Sequence, residues 1–393
     1  MSTASRPASS VGLLIAGLVL VCLNLRPALS SVSPVLAWIQ ASLGLSATAA
    51  GLLTTLPVLC LGLFAPLAPR LAERLGLERT VFLALLVLAA GTALRAVLGA
   101  AGLFLGALLA GASIGVTGVL LPSLIKRDFP RHISTMMGVY TMALCLGAAI
   151  AAGGTVPLME ALDGSWRGAL AAWAVLAVAA AVLWWPQVRG PSSAGPTPPG
   201  APLWRDRLAW AVTLHMGLQS ALAYCVFGWL PPILVDRGVA PLQAGLVVSV
   251  SVLVQLVTAF TGPWIAMRLG PDQRPTLLLM LGLALVGWLG CVAGPLEGLW
   301  LWAVLQGLGQ GGQFSVALLL IVLRSPDAPT AARLSGMSQG VGYTLASLGP
   351  LALGLSHDLR GDWSAAGPLF TAITLAAAAT GWFAAQNRLI GAR

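Results

Sequence analysis

Residues 69–76 read PRLAERLG, and residues 263–270 repeat the stretch as PWIAMRLG. The two copies lie 194 residues apart, close to half of the 393-residue chain. A second pair, LDGSW at 162–166 and LRGDW at 359–363, recurs at a similar offset of 197 residues. Similarity that returns at a nearly constant offset is typical of a duplicated structural unit. We therefore expect two related halves.

The composition around these copies is strongly apolar. Apolar residues make up 58% of the chain and charged residues only 8%, about a third of the share usual in soluble domains. The mean hydropathy is +0.90. A water-covered surface needs more charge than this, so the composition excludes an ordinary soluble enzyme, a disordered chain and a secreted disulfide scaffold. It predicts lipid as the main solvent.

Twelve apolar segments are long enough to cross a hydrocarbon core of ~30 Å. They far exceed the ~10 residues of a barrel strand, and backbone in lipid must satisfy its own hydrogen bonds, so all twelve are predicted to be helices. Their limits are 11–37, 46–69, 80–98, 101–125, 133–158, 166–186, 208–235, 241–267, 275–294, 298–323, 332–357 and 364–387.

Six predicted spans lie on each side of residues 187–207, which contain GPSSAGPTPPGAP. Proline and glycine at this density predict an exposed linker. The expected domains are an N-terminal six-helix bundle at 1–186, a cytoplasmic Pro/Gly-rich linker at 187–207 and a C-terminal six-helix bundle at 208–393. The predicted fold is an all-α membrane protein of twelve transmembrane helices in two pseudo-symmetric bundles, related by an axis along the membrane normal.

Basic residues predict the orientation of this fold. Sixteen of them fall on the side that carries both termini, whereas only Arg95, Arg167, Arg237 and Arg360 fall on the other side. Because cytoplasmic loops carry the excess of Lys and Arg, both termini are predicted to be cytoplasmic. The net charge of +9 does not indicate a nucleic-acid partner, because Lys126 is the only lysine and the arginines are scattered.

The residues 69–79, PRLAERLGLER, resemble the cytoplasmic signature of the major facilitator superfamily of secondary transporters. Three further blocks are similar to the cyanate and nitroimidazole porter branch (CynX/NimT): NLRPALSSVSPVL at 24–36, LLPSLIKRDFP at 120–130 and WLPPIL at 229–234. The resemblance covers most of the chain. It implies a transporter of small anions or small polar heterocycles in a bacterial inner membrane.

Four charged residues of the cytoplasmic loops, Glu73, Arg74, Arg127 and Arg131, are interpreted as gate or topology residues rather than ligands. Glu73 stands where the signature of the superfamily has Asp. In the second copy Met267 takes that acidic position, so an equivalent ion pair is not expected there.

Arg26 is the one basic residue that lies well within a predicted span. A guanidinium facing lipid there would cost ~2.5 kcal/mol or more, so Arg26 is expected to face the bundle interior or a wet cavity. No Asp or Glu falls inside any predicted span, and this favours an anionic solute as the partner of Arg26. The alternative is a structural arginine bonded to backbone carbonyls.

Residues around Arg26 support a binding role. Pro27 should interrupt the helix and leave the carbonyl of Leu23 without its usual partner. Asn24 and Ser30 add polar groups at the same depth, and both are predicted to bind the solute. Close helix packing is the competing interpretation of Asn24 and Ser30.

The second half supplies further candidates for the solute site. Gln306 and Gln310, followed by Gln313, share one face of span ten, and Gln339 and Tyr343 share a face of span eleven. They line the cavity or join helices, and the sequence leaves both alternatives open. Span seven contributes candidates of the same kind, namely His215, Gln219 and Tyr224. His215 is also the one evident proton-titratable group within a span, and packing is its alternative interpretation.

The sequence predicts no catalytic centre, no cofactor and no metal site. GASIG at 111–115 and GLGQGG at 307–312 match enzyme motifs but lie within predicted spans, where packing of small residues explains them. We expect a monomer in a lipid bilayer that moves a small solute, with a coupled proton left open. The rival functions are a multidrug or cation exporter and a non-transporting membrane sensor.

Overall fold

The computed structural model describes residues 8–45, 47–188 and 203–391, and the regular elements within these ranges are all helices. Most of the predicted linker therefore lies outside the described residues. The α-helices are α1 (Ala8–Asn24), α2 (Pro27–Ser30), α3 (Leu36–Leu43), α4 (Ala47–Phe64), α5 (Leu67–Leu75), α6 (Leu77–Leu94), α7 (Gly99–Asp128), α8 (Ile133–Ala161), α9 (Trp166–Val188), α10 (Arg207–Asp236), α11 (Pro241–Arg268), α12 (Arg274–Ala293), α13 (Leu299–Arg324), α14 (Ala328–Ala346), α15 (Leu348–Arg360) and α16 (Ala366–Ala384). Short 3₁₀ turns lie at Ser33–Val35, Leu203–Arg205 and Leu296–Gly298.

Most of the predicted spans are recovered as helices of membrane-crossing length. Within the described ranges, ten helices are long and apolar enough to cross a membrane. An eleventh span results if the end of α4 and α5, bent by 57° at their junction, are counted together. The predicted span 332–357 is covered by α14 and α15, which Ser347 separates. The predicted all-α membrane fold is confirmed.

Contacts divide the chain into two compact units. The first unit contains the described residues up to Leu121 together with those of 143–198. The second contains Pro122–Met142 and the described residues from Leu203 onward. The segment Pro122–Met142 comprises the end of α7 and the beginning of α8, and the hydropathy pattern does not indicate this division. The predicted domain limits at 186 and 208 stay a prediction.

In the first unit, small residues let helices approach closely. A Cβ on Gly111 would lie 2.5 Å from the carbonyl oxygen of Pro57, and one on Gly115 would lie 2.8 Å from that of Leu61. The GASIG motif therefore packs α7 against α4, as predicted. Trp184 of α9 is fully buried, and its indole nitrogen donates to the carbonyl of Glu78 at 3.1 Å, which fixes α9 against α6.

In the second unit, α13 lies between α11 and α12. A Cβ on Gly307 or Gly311 would overlap backbone carbonyls of α11, and one on Gly309 or Gly312 would overlap atoms of α12. The four glycines of GLGQGG thus allow contact on two faces of one helix, and the packing interpretation of this motif is also confirmed.

Helix starts in the second unit are fixed by aspartate caps. Asp206 accepts hydrogen bonds from the backbone nitrogens of Leu208 and Ala209 at 2.7 and 3.1 Å, directly before α10. Its other carboxylate oxygen accepts from the Gly391 nitrogen at 3.0 Å. Asp327 caps α14 in the same way, accepting from the Thr330 nitrogen at 2.7 Å. These carboxylates stabilise the orphan N–H groups of a helix start.

Candidate functional site

The first span is broken at the position where the sequence places Arg26. Helix α1 ends at Asn24 and α2 begins at Pro27, so Leu25 and Arg26 form the interruption. Proline has no N–H and cannot continue the hydrogen-bond ladder of α1, and the predicted break is therefore confirmed. The backbone turns at Arg26, whose carbonyl oxygen accepts from the nitrogens of Leu29 and Ser30 at 2.9 and 3.0 Å.

Helix α8 packs directly against this break. Gly147 lies against the carbonyl group of Leu23, the group that Pro27 was predicted to free, and a Cβ there would overlap the carbonyl oxygen. Two residues before Gly147 on the chain, the half-buried Cys145 interacts electrostatically with Arg26. Arg26 is itself half-buried. The guanidinium therefore lies beside α8 and stays partly accessible.

The two other candidates of the first span differ from each other in environment. Asn24 is 3% exposed, and its amide nitrogen donates to the carbonyls of Leu20 at 2.8 Å and Leu176 at 3.0 Å. The second bond joins α1 to α9, so the amide N–H groups of Asn24 hold helices together. Ser30 is half-buried and lies one turn after Arg26 on the same side of α2. The binding roles of both residues stay predictions.

Arg26 is not the most enclosed charge of the fold. Arg95 and Arg324 are 1% and 2% exposed, and Glu78 is 9% exposed. The expectation that Arg26 alone is held inside is therefore wrong. Glu78 and Arg324 fall between predicted spans and Arg95 falls near the end of the predicted span 80–98, and tertiary packing buries all three. Arg324 shows how, because its guanidinium donates to the side-chain oxygen of Gln273 and to the carbonyl of Ala385.

In the second unit, the glutamines of α13 form a polar seam with α11. The Gln306 side-chain oxygen accepts from the Ser251 hydroxyl at 3.0 Å, and its amide nitrogen donates to the Gln310 oxygen at 2.7 Å. Gln306 and Gln310 are 0% and 6% exposed. Gln313 turns to α12, where its amide donates to the Met280 carbonyl at 3.2 Å. The three amides therefore join α13 to both of its neighbours.

A partner stripe on α11 is not among the residues predicted from the sequence. Ser251, Gln255 and Thr258 recur at i, i+4 and i+7, the spacing that singled out the glutamines of α13. All three are buried, and neither the Gln255 amide nitrogen nor the Thr258 hydroxyl has a hydrogen-bond partner within the described chain. The spacing of these three residues, which matches the helical period, is the sequence signal that could have identified the stripe. A cavity-lining role for this seam would rest on those two unsatisfied groups.

The three candidates on α10 have different environments. His215 is 1% exposed, and its Nδ1 lies 3.0 Å from the Ala377 carbonyl of α16, while its Nε2 has no partner within the described residues. Gln219 is buried, and its amide donates to the Met216 carbonyl and the Ser220 hydroxyl of its own helix. Tyr224 is half-buried. His215 thus faces α16.

Helix α14 carries the remaining binding candidates, Gln339 and Tyr343. Both are buried, at 3% and 7% exposed, and the Gln339 amide donates to the Ser335 hydroxyl at 2.8 Å. A hydrogen bond of 3.3 Å between Thr213 and Ser338 joins α14 to α10. Gln339 and Tyr343 therefore lie in the helix that packs against the one bearing His215 and Gln219.

Among the predicted gate residues, Glu73, Arg74 and Arg131 are exposed. Arg127 is half-buried and pairs with its neighbour Asp128, Nε to Oδ1, at 2.8 Å. In the same loop region, Lys126 donates to the Val322 carbonyl at the end of α13 at 2.8 Å. The gating roles stay predictions.

The long apolar helices of the described chain define a polytopic membrane protein. The sequence pattern of the Major Facilitator Superfamily matches residues 18–240 and 214–390, and the chain belongs to that superfamily. Within the superfamily, the relatives named for 2-nitroimidazole and cyanate place it in a CynX/NimT-like family. The chain is 40% identical to the uncharacterized transporter YycB of Bacillus subtilis (strain 168), over 96% of this chain and 94% of the relative.

Two relatives from Escherichia coli (strain K12) carry substrate names. The 2-nitroimidazole transporter is 39% identical, over 89% of this chain and 90% of the relative. The cyanate transport protein CynX is 33% identical, over 88% of this chain and 90% of the relative. Among solved structures, the proton:xylose symporter XylE superposes with a TM-score of 0.79 at 14% identity, covering 96% of each chain. At that identity the likeness concerns the fold alone.

Proposed function

We propose that the protein moves a small anionic or polar solute across a bacterial inner membrane by alternating access, with Arg26 binding the negative end of the solute. The solute class is a cyanate-like anion, a small carboxylate or a nitroimidazole-like compound. The observation that carries this proposal is the half-buried guanidinium at the break between α1 and α2. The predicted spans contain no Asp or Glu, so the charge that they carry is positive.

Guanidinium chemistry suits such solutes. Its planar fork presents several N–H donors to carboxylate-like oxygens, and it stays charged under all physiological conditions. Charge-assisted hydrogen bonds of this kind are about twice as strong as neutral ones. The relatives named for cyanate and 2-nitroimidazole support this class, because both compounds are small and carry electron-rich oxygen atoms.

The break between α1 and α2 suits a solute site within the membrane. Irregular backbone is tolerated within a membrane where it is buried in protein or lines a wet cavity. In transporters, such discontinuous helices form substrate sites near the midplane, between the repeated halves. Under this proposal, glutamine and tyrosine side chains of α10, α13 and α14 also bind the solute.

Several finer features belong to the same proposal. Both termini face the cytoplasm, the protein works as a monomer, and Glu73, Arg74, Arg127 and Arg131 act in the cytoplasmic gate. A coupled proton would use His215, whose Nε2 has no partner within the described residues. A cation exporter is not favoured, because embedded carboxylates usually recognise cations and the predicted spans contain none.

The test is flux through purified protein in liposomes. Uptake and counterflow of labelled cyanate, small carboxylates, nitroimidazoles and an organic cation are measured under imposed pH and voltage gradients. We expect one or more of the anionic or polar solutes to be transported by the native protein and by Arg360→Gln, a matched control at the exposed end of α15. Arg26→Gln should lose most of that flux. Transport of every solute by Arg26→Gln at the native rate would overturn the assignment.

A further inference from the structure

One arginine of the first unit, Arg95, is buried without a counter-charge among the described residues. Arg95 directly follows α6, is 1% exposed, and forms no ion pair within the described chain. Its Nη1 donates to the Ala28 carbonyl of α2 at 2.6 Å. Its Nε and Nη2 have no hydrogen-bond partner among the described residues. Two donors of a charged group are thus left unsatisfied in the protein interior.

The position of this guanidinium is fixed by its neighbours. The shaft of Arg95 lies against Gly106 of α7, where a Cβ would come within 2.8 Å of the Arg95 Cγ. The head reaches α2 at Ala28. Arg95 therefore spans from α6 past α7 to the short helix that follows the break, and it cannot turn away without losing both contacts.

A third unsatisfied group directly follows α2. Ser31, the residue after this helix, is 0% exposed, and its hydroxyl has no partner within the described residues. Ser31 comes three residues after Ala28, so the two lie on one face of a helical turn. Arg26 lies about 200° around the helix axis from Ala28 at 100° per residue, on the other side of this turn. The side of the turn with Ala28 and Ser31 thus faces away from Arg26.

Such a group of donors favours an anion. An unsatisfied polar atom in the interior costs about 1–3 kcal/mol, and more when it is charged. Guanidinium has no acceptor, so its missing partners must be acceptors. Within the described chain no carboxylate pairs with Arg95, whereas a small inorganic anion offers the acceptors that its Nε and Nη2 lack.

We propose that Arg95 and Ser31 form a second anion site, separate from Arg26, that binds a small monovalent anion of the size of chloride, nitrite or cyanate on the buried face of α2. A bound anion would hold α2 through Ala28 and Ser31. It would thereby fix the turn that carries Arg26. The site is formed by side chains other than Arg26, on another face of this turn.

The test measures anion binding where Arg26 cannot contribute. Purified Arg26→Gln protein in detergent is titrated with chloride, nitrite or cyanate at constant ionic strength, with bulky gluconate as the balancing anion. Calorimetry and the melting temperature are followed. We expect saturable binding of at least one small anion, and a stabilisation that saturates at the same concentration. No saturable binding to Arg26→Gln by any of the three anions would overturn the proposal.

Two further variants test the assigned residues. In the Arg26→Gln background, Arg95→Gln should weaken binding by about tenfold or more, since a hydrogen bond to a charged group contributes that much. Ser31→Ala should weaken it several-fold. Ser31→Ala keeps the proposal testable if Arg95→Gln does not fold, because it removes only one hydroxyl. Binding of unchanged affinity in the folded variants would also overturn the proposal.

Competition and flux measurements distinguish whether the bound anion is the transported solute or a separate ligand. If the site holds the solute itself, cyanate competes with chloride in Arg26→Gln protein. If it holds chloride as a separate ligand, solute transport by the native protein depends on chloride, and Arg95→Lys or Ser31→Ala alters that dependence. Either outcome supports the site. The native protein could transport none of the solutes while Arg26→Gln protein still binds chloride. That result would contradict the proposed function and leave the Arg95 site in place.

Discussion

Gly147 provides a sharp test of how α8 packs against the broken span. Its α-carbon faces the Leu23 carbonyl, and a Cβ would overlap the carbonyl oxygen and lie 3.1 Å from the carbonyl carbon and 3.3 Å from the Leu23 Cα. The obstructing atoms are backbone, so they cannot rotate away as a side chain would. In Gly147→Ala, either α8 or the end of α1 must therefore shift.

The magnitude follows from a matched control on the same helix. Gly153 is exposed, and a Cβ there has no atom within 4 Å. Replacing a helical glycine by alanine gains up to about 1 kcal/mol of helix propensity in both variants. The difference between Gly147→Ala and Gly153→Ala therefore isolates the overlap, for which overpacking costs of about 1–3 kcal/mol are typical.

The assay is thermal unfolding in detergent, followed by tryptophan fluorescence. Gly147→Ala should melt below the native protein, and Gly153→Ala should melt at or above it. Alkylation of Cys145, which lies two residues before Gly147, should also change in rate in Gly147→Ala alone. Equal melting temperatures for the two variants would refute the close approach of α8 to the Leu23 carbonyl.

Two further predictions concern polar bridges. Asn24→Ala should lower the stability of the protein by about 1–3 kcal/mol, because the Leu176 carbonyl loses its donor between α1 and α9; an unchanged melting temperature would contradict the bridge. Ser251→Ala should cost about 0.5–1.5 kcal/mol through loss of its bond to Gln306, and Ser249→Ala on the exposed face of α11 is its control. Equal stability of the two serine variants would contradict the seam.

Some parts of this fold can be predicted from sequence because they depend on local chemistry. The break at Pro27 follows from the missing N–H of proline, and the helical spans follow from length and hydropathy. The predicted span 332–357 is formed by α14 and α15, and α14 is rich in glycine and polar residues that are buried. The small-residue motifs at 111–115 and 307–312 were recognisable as packing surfaces, since glycine in a membrane helix allows close contact.

Other features depend on tertiary packing. Arg95 lies near the end of the predicted span 80–98, and the approach of α7 at Gly106 and of α2 at Ala28 encloses it. The stripe of Ser251, Gln255 and Thr258 is not distinctive in the sequence, because serine and threonine are common in apolar helices. Its pairing with α13 depends on which helices become neighbours. Periodicity identifies a polar face but not the partner that this face meets.

The central claim is that Arg26 holds the negative end of the transported solute. Equilibrium binding of the best-transported solute to the purified native protein, Arg26→Lys and Arg26→Gln tests it most directly. Loss of a charge-assisted hydrogen bond is worth about 1.5–3 kcal/mol, so Arg26→Gln should bind about 10- to 100-fold more weakly. Arg26→Lys should fall between the two, because it keeps the charge but loses the planar fork. Native affinity in Arg26→Gln would contradict the claim.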